Sequence, residues 1–202
     1  MKIFTIQPVS YESNVFILTG DDKNAILIDC SDERDYGECV RIGLNPKAVL
    51  LTHGHLDHIA GCKHMQEQCG ARIMCGEGEE DFIFSGGNRS IFGVDIPKFT
   101  IDRTLKDGEE LELYGLKIKA ISTPGHTVGG VCYVIEDCIF SGDTLFCGSV
   151  GRCDFPTGDE RELIKSLKKL DALKGNYTVY CGHGGKTTLD SERKNNPFMR
   201  LG

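Results

Sequence analysis

The 202 residues fit one domain over 1–202, and the 40 % hydrophobic content supplies a core that needs no disulfide staples. A net charge of −7, with Lys and Arg scattered, disfavours nucleic-acid binding, and no apolar run is long enough to span a membrane or serve as a signal-peptide core. The expected address is cytoplasmic, and the 10 cysteines, none in a CxxC pair, read as buried reduced thiols.

From the N-terminus, residues 2–6, 14–18 and 25–28 read as three short strands, with Gly20, Asp21 and Asp22 turning between the second and third. Asp29 closes the third strand, where a carboxylate either supports a metal ligand through a hydrogen bond or forms a turn. A helix over 34–42 follows, stopped by Gly43 and Pro46. Residues 48–51 read as a buried strand, and Ile59, Cys62, Met65 and Cys69 then recur at helical spacing. A strand over 71–74 and a short helix over 77–84 come next. The Gly-rich stretch 85–97 has no period and is expected as a long loop, either bordering the site or a plain surface excursion. Strands over 111–113 and 116–121 form a hairpin about Tyr114 and Gly115, and strands over 131–135 and 138–140 flank a turn at Glu136 and Asp137. Leu163, Ile164, Leu167, Leu170 and Leu173 mark the apolar face of a helix that starts near Asp159 and is stopped by Gly175, before a last strand over 178–180. Two groups of strands with intervening helices point to two packed sheets with helices outside.

Between the strand 48–51 and its helix lies Thr-His-Gly-His-Leu-Asp-His-Ile-Ala-Gly (52–61), which places His53, His55, Asp57 and His58 within six positions. Imidazole and carboxylate are ligands shared by zinc, iron and manganese, so this density marks a metal site. Along an extended segment His53 and His55 project to one side, and Asp57 and His58 leave in another direction as the helix starts. That suits two adjacent metals better than one. His126 in Thr-Pro-Gly-His-Thr (123–127), Asp143 in Ser-Gly-Asp-Thr (141–144) and His183 in Cys-Gly-His-Gly-Gly (181–185) each follow a predicted strand in a Gly-containing turn. Any one such turn is ordinary; together with the dense motif they make a ligand set divided over four strand ends. His64, mid-helix between Lys63 and Met65, is not part of it.

The order His53-x-His55-x-Asp57-His58, then His126, Asp143 and His183, with Asp29 in Leu27-Ile28-Asp29, resembles the metallo-β-lactamase superfamily over nearly the whole chain. Gly142-Asp143-Thr144-Leu145-Phe146, the later Gly151-Arg152 and the tail 187–198 are similar to its glyoxalase II (hydroxyacylglutathione hydrolase) branch in the short bacterial form. The resemblance implies a four-layer αββα sandwich of the α/β class, with the site at one edge of the two sheets. It also implies two divalent metal ions, zinc in the first place and otherwise iron or manganese. One ion would be held by His53, His55 and His126 and the other by Asp57, His58 and His183. Asp143 would bridge them, and Asp57 and Asp143 would be the catalytic carboxylates.

Two cations about 3.5–4 Å apart lower the pKa of a shared water towards neutrality, and the hydroxide attacks an acyl carbonyl. A thiolate leaves without a protein acid because a thiol pKa is about 8.5. The expected substrate is therefore a small-molecule thioester or ester. Arg152 is the candidate contact to a substrate anion, with a salt bridge to Asp154 as the alternative, and Lys186 and Arg193 are weaker candidates. Two departures from the branch put glutathione in question. Asp154 stands where an aromatic residue helps hold glutathione, and the chain stops at Gly202 without a separate C-terminal glutathione-binding helical domain. Two rival readings accompany the hydrolase: a persulfide dioxygenase with a single non-haem iron held by two histidines and an aspartate, and a metal-binding module without catalytic activity.

Overall fold

The computed structural model describes residues 1–6, 12–20 and 23–200, so Asp21 and Asp22 of the expected turn lie outside the described residues. β1 (Lys2–Ile6), β2 (Val15–Thr19) and β3 (Asn24–Ile28) run antiparallel and open a six-stranded sheet. β4 (Asn45–Leu50), β5 (Arg72–Gly76) and β6 (Arg103–Leu105) continue that sheet in parallel. Parallel neighbours need crossovers, and helices supply them: α1 (Arg34–Arg41) before β4, α2 (Leu56–Ile59) and α3 (Cys62–Cys69) before β5, α4 (Glu79–Phe84) and α5 (Gly87–Phe92) before β6. The second sheet starts with the meander β7 (Glu110–Leu113), β8 (Leu116–Ser122), β9 (Val131–Ile135) and β10 (Cys138–Gly142). A small ribbon, β11 (Leu145–Phe146) with β12 (Ser149–Val150), and α6 (Glu160–Asp171) lead to β13 (Thr178–Cys181) and β14 (Thr187–Thr188). The strand order is β14-β13-β10-β9-β8-β7, and α7 (Leu189–Asn195) with a 3₁₀ turn (Pro197–Arg200) follows.

Side-chain alternation along the strands builds the layers. On β3, Ile26 and Ile28 join Leu50, Met74, Ile118, Tyr133 and Phe140 in a core between the two sheets. Ala25 and Leu27 face the other way, with Cys39 of α1 and Cys62 and Met65 of α3. On the second sheet, Ile139 and Val179 meet Leu163, Leu167 and Leu170 of α6 and Leu189 of α7. With period two, each strand serves two cores, and the result is the expected αββα sandwich. Among the described residues no helix is long and apolar enough to cross a membrane.

Three expectations are corrected, and the strand β6 was not expected. The stretch 85–97 is not all loop: α5 forms within it, bracketed by Gly86 at φ 89 and Gly93 at φ 72. The helix after the histidine motif is two helices, because the chain must pass close to the end of β3; a Cβ on Gly61 would lie 2.3 Å from the Asp32 carbonyl oxygen. β6, only Arg-Thr-Leu, is too short to show a period. Residues 178–180 are not the last strand, since β14 pairs with β13 and Thr188 then caps α7 by accepting from the Ser191 N–H at 3.2 Å.

Candidate metal centre

β4 ends at Leu50, and the chain runs on through Thr52 to His55, the residue before α2. Several neighbours set this run. Asp29 ends β3 in left-handed backbone, φ 62, and its carboxylate accepts the Thr52 N–H at 2.7 Å and the Thr52 hydroxyl at 2.8 Å. Glu79, buried at the head of α4, accepts the Gly54 N–H at 2.6 Å and the Gly129 N–H at 2.7 Å. It thereby ties the loop between His53 and His55 to the loop that follows His126. Asn88 of α5 donates its side-chain amide to the Gly54 carbonyl at 2.7 Å, so both polar groups of Gly54 are held by side chains. From the second sheet, Gly142 ends β10 at φ 49, and a Cβ there would lie 2.4 Å from Thr52 Oγ1. Only glycine lets the chain turn into Asp143 this close to the histidine motif.

The seven ligand-type residues singled out by the sequence come together. His53, His55 and His126 form one group, Asp57, His58 and His183 a second, and His53, His58 and Asp143 a third, with ligand atoms within 4.8 Å of one another in each. Asp143 stands between the first two: its carboxylate lies 3.5 Å from His126 Nε2, 3.5 Å from His183 Nε2 and 3.5 Å from His58 Nε2. His55 Nδ1 is 2.9 Å from His126 Nε2, and His58 Nε2 is 3.3 Å from His183 Nε2. Two nitrogens held about 2.0–2.1 Å from one tetrahedral ion are about 3.3 Å apart. Both pairs are near that spacing.

The outward nitrogens are fixed. His58 Nδ1 donates to Asp29 Oδ2 at 2.8 Å, His126 Nδ1 to the Arg152 carbonyl at 2.7 Å and His183 Nδ1 to the Glu12 carbonyl at 2.9 Å. Each bond places a proton on Nδ1 and turns the Nε2 lone pair inwards. At the centre, His53 Nε2 and Asp143 Oδ1 are buried without a hydrogen-bond partner; His55 Nε2, also unpartnered, points away from the Nδ1 that faces His126. Buried polar atoms are normally paired, and a divalent cation satisfies imidazole nitrogen and carboxylate oxygen alike. The residues fit a metal.

The electrostatics divide the site. Burial holds His53 and His126 below the usual histidine range and lowers His55 to about 3, so all three are neutral ligands at neutral pH. Burial also acts to lower His58, but Asp57, Asp29 and Asp143 outweigh it and hold the ring well above that range. His183 is likewise raised, against burial, by Asp57 and Asp143. Burial disfavours the Asp57 carboxylate, yet His58 and His183 keep it well below the usual range.

Arg152 is engaged elsewhere. Its Nε and Nη2 bond both Asp154 oxygens at 2.6 Å and 2.7 Å, and its guanidinium sits 3.9 Å from the Phe155 ring centroid. The salt bridge offered as the alternative is thus the one formed, and the residue touches the centre only through its backbone carbonyl on His126. Arg193 binds the carbonyls of Asp171, Leu173 and Gly175 after α6, which makes it a structural clasp. Lys186 lies over the Tyr180 ring, 5.7 Å from its centroid. His64 packs on Tyr36 and joins none of the three groups. All ten cysteines are free thiols, and Cys147 alone is exposed. Sequence reasoning missed Glu79, Asn88 and Ser13, whose hydroxyl donates to the Asp57 carbonyl. Their neighbours carry no ligand spacing; only their partners, Gly54 and Asp57, link them to the site.

Residues 11–183 match the family model of the metallo-beta-lactamase superfamily. The chain is 34% identical to hydroxyacylglutathione hydrolase GloC of Haemophilus influenzae, over 98% of both chains. Among solved structures it superposes on TTHA1623 in a di-iron-bound form with a TM-score of 0.85 and 32% identity, covering 96% of this chain and 99% of that one. It superposes on the B3 metallo-beta-lactamase BLEG-1 with a TM-score of 0.92 and 30% identity, covering 100% of each. The chain belongs to the metallo-beta-lactamase superfamily and is a metallo-hydrolase.

Proposed function

We propose that this protein hydrolyses hydroxyacylglutathione-like thioesters at a centre of two divalent ions, zinc in the first place. His53, His55 and His126 would hold one ion, Asp57, His58 and His183 the other, with Asp143 shared. The observation that carries this reading is the position of the Asp143 carboxylate, 3.5 Å from a histidine of each group. One oxygen, Oδ2, makes both approaches and so could serve an ion on each side, whereas a single-ion site leaves half of the donors without purpose. The relative GloC, named a hydroxyacylglutathione hydrolase, supports the choice of a thioester. The di-iron form of TTHA1623 keeps iron as the second candidate metal.

When bound, the metal pair supplies Lewis acidity for the acyl carbonyl and activates water as the nucleophile. The chain's own residues do the rest. Asp29, the Arg152 carbonyl and the Glu12 carbonyl hold three rings by their Nδ1–H, keeping Nε2 aimed inwards. Asp57, kept ionised by its histidine neighbours, balances the cation charge. No dedicated acid is needed at the leaving group, because a thiol pKa is about 8.5. Arg152 would turn from Asp154 to an anionic end of the substrate. Zinc-loaded protein incubated with S-lactoylglutathione tests the reading: hydrolysis that His55→Ala abolishes supports it, and no hydrolysis of this or simple thioesters contradicts it.

A further inference from the structure

One face of the centre is built of phenyl rings. The His55 ring is met edge-on by Phe82 at 5.4 Å between centroids, by Phe155 at 5.6 Å and by Phe92 at 6.2 Å. Phe82 is buried and closes the floor of this wall, whereas Phe92 remains 37% exposed and Phe155 is half-buried. Exposed phenylalanines are unremarkable singly. Three converging on one buried, ligand-type histidine make an apolar wall against a polar centre, the usual composition of a small-molecule pocket. The opposite side differs: His183 has Phe146 at 6.1 Å, and its other close neighbours are polar, among them the Glu12 carbonyl, Asp57, His58 and Asp143.

The wall is held in place. Asn88 and Phe92 lie four residues apart on α5 and so share a helix face. Asn88 bonds the Gly54 carbonyl, between His53 and His55, at 2.7 Å, which fixes that face of α5 against the histidine loop and sets Phe92 over His55. Phe155 is steadied from outside by the Arg152 guanidinium, 3.9 Å from its centroid. Both partly open rings are thus positioned rather than loose.

We infer that the acyl group of the preferred thioester carries an apolar, aryl-sized side chain that packs between Phe92 and Phe155, and that Phe92 is the residue that selects it. This rests on the thioester reading above. The acyl substituent is joined directly to the carbonyl that must reach the centre, so it is the part that would meet the rings around His55, while the charged ends of the thiol half extend towards the exposed Arg152. A small hydroxyacyl group such as lactoyl would leave the exposed parts of Phe92 and Phe155 in water, whereas a phenyl in its place would cover them. Edge-to-face packing adds to the gain from buried area.

The test compares two glutathione thioesters that differ only in that substituent, 2-hydroxy-2-phenylacetyl (mandeloyl) and lactoyl, on zinc-loaded protein. The expected ratio of kcat/KM, mandeloyl over lactoyl, is about tenfold or more, the scale on which apolar pockets discriminate. Phe92→Ala should bring that ratio towards one, and Phe92→Leu should keep part of it. Phe84→Ala, on α4 but tilted against Phe99 rather than packed on His55, should leave it as in the wild type. A wild-type ratio at or below one, or a ratio indifferent to Phe92→Ala, overturns the inference. Calorimetric binding of mandelate and lactate to the zinc-loaded protein gives a reading independent of turnover. If neither thioester is cleaved, the thioester function falls, and the pocket still stands or falls on whether mandelate binds more tightly than lactate and loses that advantage in Phe92→Ala.

Discussion

The Nδ1–H of His58 meets Oδ2 of Asp29 at 2.8 Å, with both side chains buried. Asp29 contributes no atom to the ligand groups, yet it orients one ring and, through Thr52, the start of the histidine run. Asp29→Asn tests this cleanly. Asparagine tolerates left-handed backbone such as φ 62, so the turn survives while the carboxylate facing His58 is lost. Metal affinity should fall about 10–100-fold, the usual cost of removing such a supporting group, as measured by competition with a chromogenic chelator. Asp29→Ala should weaken binding as much and lower the melting temperature further, because alanine is strained at that φ.

Metal uptake should release protons. Without metal, His58 and His183 hold protons above the ordinary histidine range because Asp57 and Asp143 surround them. A cation replaces those protons, so apparent affinity should rise with pH through the neutral range and weaken on acidification. Titrating zinc into metal-free protein in weak buffer with a pH indicator should show net proton release near pH 7; uptake without release contradicts the proposed electrostatics.

Burial pushes Glu79 up to about 7 from 4.5, against the N–H bonds from Gly54 and Gly129. The folded state therefore retains this proton better than the unfolded state does. Its contribution to stability is complete below pH 4.5 and is lost as pH rises to about 7. Glu79→Gln removes that titration. The variant's stability relative to the wild type should rise across this window by on the order of 3 kcal/mol. Urea unfolding at several pH values measures it, and a difference constant in pH would contradict the assignment.

Arg152 is bound by Asp154 in the structure, both side chains exposed. If Arg152 meets an anionic substrate, Asp154 competes with that substrate for it. Asp154→Asn should lower KM for an anionic thioester a few-fold, and Arg152→Ala should raise it with kcat little changed, the pattern of lost uniform binding. The carbonyl that orients His126 belongs to the backbone and survives both changes. Steady-state kinetics with anionic and neutral thioesters separate the cases.

Much of this site was legible in the sequence because ligands at strand ends leave a local mark: a short apolar run, then His or Asp in a Gly-containing turn. His53, His126, Asp143 and His183 all announce themselves that way. The two-sheet sandwich was legible from the same runs, since Ile26 and Leu27 need opposite cores whichever strand they pair with. What stayed hidden depends on contacts between distant segments. Glu79 and Asn88 gain their meaning only when α4 and α5 fold over Gly54, and α5 itself lies in a stretch whose glycines argue for loop. Arg152 shows the converse: its spacing from Asp154 left two partners open, and only the fold shows which is taken.

The central claim is a two-ion centre that hydrolyses thioesters. The most direct measurement is thioester hydrolysis followed while metal-free protein is titrated with zinc, and in parallel anaerobically with iron. The account predicts a rate that climbs until two ions are bound per chain, without oxygen consumption. Maximal occupancy at one iron per chain, with oxygen uptake on glutathione persulfide and no thioester hydrolysis, would contradict it.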